Sequence, residues 1–293
     1  MFIFELIDAE GPGFLQVRKQ VFEFLLQFER KCVSLVSHFI KKDTKILYII
    51  DERNTLLAVL SVSSSGQILH CINSDSVFPT IKEYFSKEPT EKLFSIIGEA
   101  KYTDELSKIF FDLTGEAPKA INDYTLMEYD KIIAEAALLS LKSDAQRRQF
   151  LSTCEVFDCD DSDFETIFPI QKSYELEEVV VDKNQYNEKN SRILLRRSLQ
   201  SGNVFAVRHD HKIVSKASIN AKGEKYIQLG GIYTSLAYRN RGIATYLVRT
   251  LTQRFKKMNK NIVLFVKKNN ATALTVYKNC GFESFADYKI LYY

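Results

Sequence analysis

Apolar positions recur along this chain with the two-residue period of strands and the three-to-four-residue period of helices, and the alternation lays out its elements. Phe2 to Ile7 reads as an opening strand, closed by the turn Gly11-Pro12-Gly13. Phe14 to Phe39 places Phe14, Val17, Val21, Phe24, Leu25, Phe28, Val33 and Val36 on one side, as a long helix would. Strands follow at Lys45 to Ile50, Leu56 to Ser63 and Gln67 to Ile72, the first two joined by the turn Asp51-Glu52-Arg53-Asn54. A helix from Val77 to Phe85, a strand from Leu93 to Gly98, a helix from Tyr102 to Leu113 and a strand from Ile121 to Met127 complete the first half. Lys131 to Arg148 has the Ala-rich, half-polar composition of a helical connector, which places a boundary near residue 148.

The second half repeats this order without repeating the residues. Leu151 to Phe157 reads as a strand, and Asp163 to Tyr174 and Ser191 to Leu199 as helices, the second stopped by Ser201-Gly202-Asn203. Val204 to Arg208 and Lys212 to Ala221 form a hairpin around Asp210. Strand Tyr226 to Thr234 leads through a basic turn into a helix with apolar residues at Ala244, Leu247, Val248, Leu251, Phe255 and Met258. Strand Ile262 to Lys267, helix Thr272 to Asn279 and a terminal strand from Phe285 to Tyr293 follow. The pattern predicts two lobes, 1–148 and 149–293, each a mixed, mostly antiparallel sheet flanked by helices. It is the outcome expected of a duplicated fold.

Composition narrows the class. Of 293 residues, 45% are hydrophobic and 26% charged, as in an ordinary soluble domain, and apolar runs such as Ala134 to Leu139 are far shorter than the ~20 residues of a membrane span. The N-terminus has no basic region before its apolar residues, and five scattered cysteines form no C-x-x-C pair, so a reduced, cytoplasmic protein is expected. Residues 1–148 hold 18 Lys and Arg against 22 Asp and Glu, whereas residues 149–293 hold 22 against 15. The basic half is the one suited to a phosphate-bearing ligand; the excess is too small to argue for nucleic acid.

Three pieces of that half carry chemistry. Arg239-x-x-Gly242-x-Ala244 lies where a helix begins, with its first N–H groups unpaired; glycine allows close approach and alanine keeps the next position small. An ordinary strand-to-helix turn would look the same taken alone. Gly230-Gly231 lies inside a strand, where a bulge would leave the backbone groups of Ile232 to Thr234 free to pair with an extended amide ligand. Asn270 reads as a helix cap, with Tyr277 on the same helix face about two turns on. Either could equally be a plain cap or a core tyrosine. The corresponding connection of the first half, Asn73-Ser74-Asp75-Ser76, has neither Gly nor Arg, and its Asp would repel a phosphate.

In this order and spacing the three pieces resemble the GNAT family of acyl-CoA-dependent N-acyltransferases, over residues 149–293 and most specifically 226–282. The resemblance implies that the backbone amides of Arg239, Asn240, Arg241, Gly242, Ile243, Ala244 and Thr245 hold the CoA pyrophosphate. It implies that Ile232, Tyr233 and Thr234 lie along the pantetheine, with Asn270 beside it and Tyr277 near the thioester sulfur. Tyr174 to Glu178 and the Gly-Gly-Ile-Tyr-Thr strand are similar to a two-lobed subgroup whose first lobe is degenerate. The implied activity is transfer of an acetyl group from acetyl-CoA to a small-molecule or peptide amine, by direct attack in a ternary complex and without a metal. A non-catalytic acyl-CoA-binding module is the alternative. Many family members carry a Glu on the bulged strand; here Gln228 and Leu229 stand there, leaving Glu177 and Glu178 as the candidate bases.

Overall fold

The computed structural model describes residues 1–6, 12–90, 92–134, 145–180 and 183–293. Twelve strands form one sheet: β1 (Phe2–Leu6), β2 (Lys45–Ile50), β3 (Leu56–Val62), β4 (Gln67–Ile72), β5 (Ser95–Glu99), β6 (Ala120–Tyr129), β7 (Glu155–Asp158), β8 (Val204–His209), β9 (Lys212–Lys222), β10 (Tyr226–Thr234), β11 (Asn261–Lys267) and β12 (Phe282–Tyr292). Their order is β1-β2-β3-β4-β5-β12-β6-β11-β10-β9-β8-β7. Only β4–β5 and β10–β11 pair in parallel, so each half is an antiparallel meander followed by one parallel step. The two halves share this topology, as expected of the duplicated pattern.

At the centre the halves interleave. β12, the last strand of the second half, pairs with β5 of the first, and β6, the last strand of the first half, pairs with β11 of the second. β12 and β6 pair with each other along Phe282–Tyr292 and Ala120–Tyr129.

Helices cover both faces. α1 (Pro12–Gln27) and α2 (Val33–Lys41) pack with Ile46, Val59 and Leu69, and α3 (Phe78–Lys87) and α4 (Ala100–Thr114) with Leu47, Leu60 and Ile68 on the other face. In the second half α5 (Ala145–Leu151) is followed by α6 (Phe164–Tyr174) and α7 (Glu188–Gln200), which pack on Val204 and Ala206. α8 (Ile243–Lys257) and α9 (Ala271–Asn279) pack on Phe205, Val207, Leu229 and Leu264, the opposite face. Val33 of α2 reaches across to Ala221 and Val263, so α2 shares the α6–α7 face. Among the described residues no helix is long and apolar enough to cross a membrane.

Three expectations need correction. The single helix over Phe14 to Phe39 is broken by a 3-10 turn, Glu29–Lys31. The cause is Glu29, 1% exposed, whose Oε1 accepts hydrogen bonds from the backbone N–H of Lys225 (2.8 Å) and Tyr226 (3.1 Å). A carboxylate that ties the first half to the second is invisible to helical periodicity. Pro12 begins α1 rather than sitting in a turn, as its fixed φ allows at a first helical position, while Gly11 lies outside the described residues. Leu151 ends helix α5 instead of beginning a strand, because Ser152 and Thr153 donate their hydroxyls to the carbonyls of Gln149 and Phe150. Of the connector expected over Lys131 to Arg148, residues 131–134 are helical and α5 begins at Ala145; residues 135–144 lie outside the described residues.

Candidate acyl-transfer site

β10 and β11 run together from Tyr226–Asn261 to Leu229–Leu264 and pair no further. The parting is a property of β10. Gly230 stands opposite Ser218 and Tyr233 opposite Lys216, so Gly231 and Ile232 share the single partner position of Ala217. Gly231 takes φ +56, a conformation that costs a side-chain-bearing residue about 1–2 kcal/mol, and this puts the bulge where the sequence suggested. The two strands then diverge as banks of a cleft.

One end of the cleft is the basic turn. A 3-10 turn (Leu236–Tyr238) leads to Arg239 in extended conformation, then Asn240 at φ +64 and Gly242 at φ +82. Gly242 is the N-cap of α8 and supplies no side-chain cap, so the first N–H groups of that helix are open to a ligand. This concave run of amides fits an anionic phosphate. Arg241 lies over the rings of Phe150 (5.2 Å) and Tyr238 (5.4 Å). Arg239 does not face outward. Its Nε donates to Thr234 O (3.0 Å) and its Nη2 to Glu177 Oε2 (2.9 Å), so its charge is spent bracing the turn.

At the other bank, Asn270 caps α9: its Oδ1 accepts from the N–H of Ala273 at 3.0 Å. Tyr277 is 8% exposed within the core cluster around α8, its ring 6.2 Å from that of Phe282. Among the described residues its hydroxyl makes no hydrogen bond, and burial, followed by the neighbouring Tyr174, raises its pKa.

A π-helical turn (Glu175–Val179) after α6 spans the two banks. Toward β10, Glu177 Oε2 accepts from the Tyr233 hydroxyl at 2.8 Å and from Arg239; toward β11 and α9, Lys267 Nζ donates to Glu178 O (2.6 Å) and Asn270 Nδ2 to Glu178 Oε1 (3.4 Å). The hydrogen bond from Arg239 holds the Glu177 carboxyl below its usual range. A carboxylate stabilised in that way is a poor proton acceptor, which corrects the expectation for Glu177. π-turns are rare, and periodicity gives no sign of one.

Sequence reasoning missed Lys216. It sits on β9 at 1% exposure, its Nζ donating to Gly231 O at 2.8 Å beneath the ring of Tyr174, 4.6 Å away. Nothing in the run Val214-Ser215-Lys216-Ala217 marks it as buried. On the same face a cavity of about 240 Å³ opens between α2 and the sheet, lined by Ser34, His38, Asn220, Gln228 and Phe265 among others. The matching turn of the first half is self-sealed: Ser74 Oγ accepts from Ser76 N–H (3.3 Å) and Asp75 pairs with Lys101 (2.7 Å).

A sheet parted at a bulge, with an uncapped helix N-terminus at the end of the gap, defines an acyltransferase fold. Residues 164–282 match the acetyltransferase (GNAT) family. By its C-terminal lobe the chain belongs to the GNAT acyltransferases. A tandem GNAT protein from the clavulanic acid biosynthesis pathway superposes with a TM-score of 0.58 at 11% identity, covering 99% of this chain and 98% of that one. A GNAT-family acetyltransferase from Colwellia psychrerythraea gives 0.56 at 12% identity, with 100% and 99% covered. A GCN5-related N-acetyltransferase from Sphaerobacter thermophilus gives 0.56 at 10%, with 99% and 94% covered. At such identities the likeness is one of fold, and it extends over both lobes. No curated protein matches the chain. Among the described residues no cluster of side chains has the make-up of a metal site.

Proposed function

We propose that residues 149–293 transfer an acetyl group from acetyl-CoA to an amine by direct attack in a ternary complex, and that residues 1–148 are a degenerate copy without a cofactor site. The observation that carries this reading is the cleft itself, bulged at Gly231 on one bank and ending at the uncapped turn of Gly242. In it the amides from Arg239 to Thr245 receive the pyrophosphate, Ile232 to Thr234 pair with the pantetheine, and Asn270 lies beside it. Tyr277 faces the departing sulfur. With its pKa raised by burial, the phenol serves as a hydrogen-bond donor to the thiolate rather than as a full acid. The acceptor is a small-molecule or peptide amine approaching on the face of α2 and α6.

The acceptor's own pKa decides how much help it needs. A Lys-type amine near 10.4 costs about 4.6 kcal/mol to deprotonate at pH 7, an α-amine near 7.7–8.0 only about 1–1.4. Incubation with acetyl-CoA and a panel of both classes, followed by free-thiol release, tests the reading: amine-dependent thiol is expected. Binding of acetyl-CoA with no thiol released by any amine would leave an acyl-CoA-binding module instead. Tyr277→Phe is expected to lower kcat by about 10- to 100-fold with acetyl-CoA affinity held within about threefold. Equal turnover would remove Tyr277 from the mechanism.

A further inference from the structure

We propose that Lys216 is the proton acceptor for the incoming amine; the proposal rests on the acetyl-transfer reading above. The family's strand Glu is missing here, and Glu177 is locked to Arg239 and Tyr233. Among the described residues, Lys216 is the only ionisable side chain that hydrogen-bonds to the bulge residues Gly230 to Ile232. Its Nζ lies 2.8 Å from Gly231 O, beside the residue whose backbone the reading assigns to the cofactor. A Cβ on Gly231 would stand 2.9 Å from Nζ, so glycine at this position makes room for the amine. Ser218 lies next along the face, and the Asn220 amide meets the Cβ position of Gly230 and lines the cavity under α2. That row is the acceptor's approach.

The surroundings suit a base. The groups facing Nζ are the Tyr174 ring from α6, the Glu175 carboxylate from the π-turn and the Cys159 thiol from the connection before α6. Cys159, pushed up to about 12 chiefly by burial, is a neutral thiol at neutral pH. Burial outweighs the pull of Glu175 and brings the Lys216 amine down to about 8. Roughly a tenth of such an amine is neutral at pH 7, against well under a thousandth of an exposed lysine. Neutral Nζ keeps a hydrogen to donate to Gly231 O and a lone pair for the substrate.

In the step, the substrate nitrogen forms a bond to the thioester carbonyl carbon while one of its protons passes to Nζ. The carbon–sulfur bond breaks, its electron pair leaving on the CoA thiolate under the Tyr277 hydroxyl. Lys216, now an ammonium, then gives its proton to solvent. Because the neutral form is the active one, the rate rises with pH up to about 8 and levels off.

The full chain, Lys216→Met and Lys216→Arg are compared by three measurements. Acetyl-CoA affinity is read by calorimetry. The Lys216 titration is read by ¹³C NMR of lysine-labelled protein, the resonance being assigned by its loss in Lys216→Arg. Thiol release with an α-amine acceptor is followed from pH 6 to 10. The expected results are a midpoint near pH 8 in both the NMR and the kcat/KM profile, and a loss of at least about 100-fold in kcat for Lys216→Met at pH 7.5, with acetyl-CoA affinity within about threefold. Lys216→Arg, which keeps the charge and the donor to Gly231 O but cannot be deprotonated, should be as slow as Lys216→Met. Rescue by arginine would make Lys216 a brace for the bulge and overturn the proposal, as would a midpoint above pH 10. Thiol release by the native chain with full activity in Lys216→Met removes Lys216 alone. Its absence with every amine in the native chain removes the acetyl-transfer reading and this proposal together.

Discussion

Gly242 holds its place by conformation and by clearance. At φ +82 a side chain is strained by about 1–2 kcal/mol, and a Cβ there would come within 2.9 Å of Arg147 Cδ. Gly242→Val therefore closes the turn that gathers the amides of α8. Acetyl-CoA affinity measured by calorimetry is expected to fall more than about 30-fold, with a loss of about 1–3 kcal/mol in stability. Unchanged affinity would refute the phosphate site. This residue was legible in the sequence because its requirement is local: a left-handed turn before a helix asks for glycine whatever surrounds it. Lys216 was not, because its burial comes from Tyr174 and the π-turn, which approach from elsewhere in the chain.

Among the elements, β10 was read from the sequence over the span it occupies, Tyr226–Thr234, since an apolar strand interrupted by two glycines and followed by a basic turn signals itself. The π-turn Glu175–Val179 was not: its three glutamates resemble a solvated helix face, and only its partners on both banks show its work. Those partners make a distinction between brace and base possible. Glu177→Gln keeps an acceptor for Tyr233 but discards the ion pair with Arg239. That pair is partly exposed on both sides, 36% and 39%, so the loss in stability is expected to stay below about 1 kcal/mol. With Arg239 released toward the turn, CoA should bind about two- to fivefold more tightly, by one added charge contact. Turnover within about threefold of the native chain is expected; a collapse of 100-fold or more would restore Glu177 as the base.

For the molecule as a whole, helices and strands were legible but their central pairing was not, because hydrophobic alternation says which face a strand buries and nothing about its neighbour. A boundary near 148 falls between lobes that each lend a last strand to the other. Residues 149–293 made alone would lack β6, exposing the β11 edge from Asn261 to Lys267 and one side of β12. Such a fragment is expected to aggregate or associate in size-exclusion chromatography, and to become soluble when co-produced with residues 1–148. A monomeric, acetyl-CoA-binding fragment would show that β12 can close directly onto β11.

The same interleaving fixes an order of events during synthesis. β12 occupies a slot beside β5 and β6 that nothing earlier in these 293 residues fills, and it leaves the ribosome after the other eleven strands. Until then the first lobe waits with β5 unpaired on one side, a sticky border in a crowded cell. Every strand but one may be in place, and the sheet still has no centre until residues 282–292 emerge.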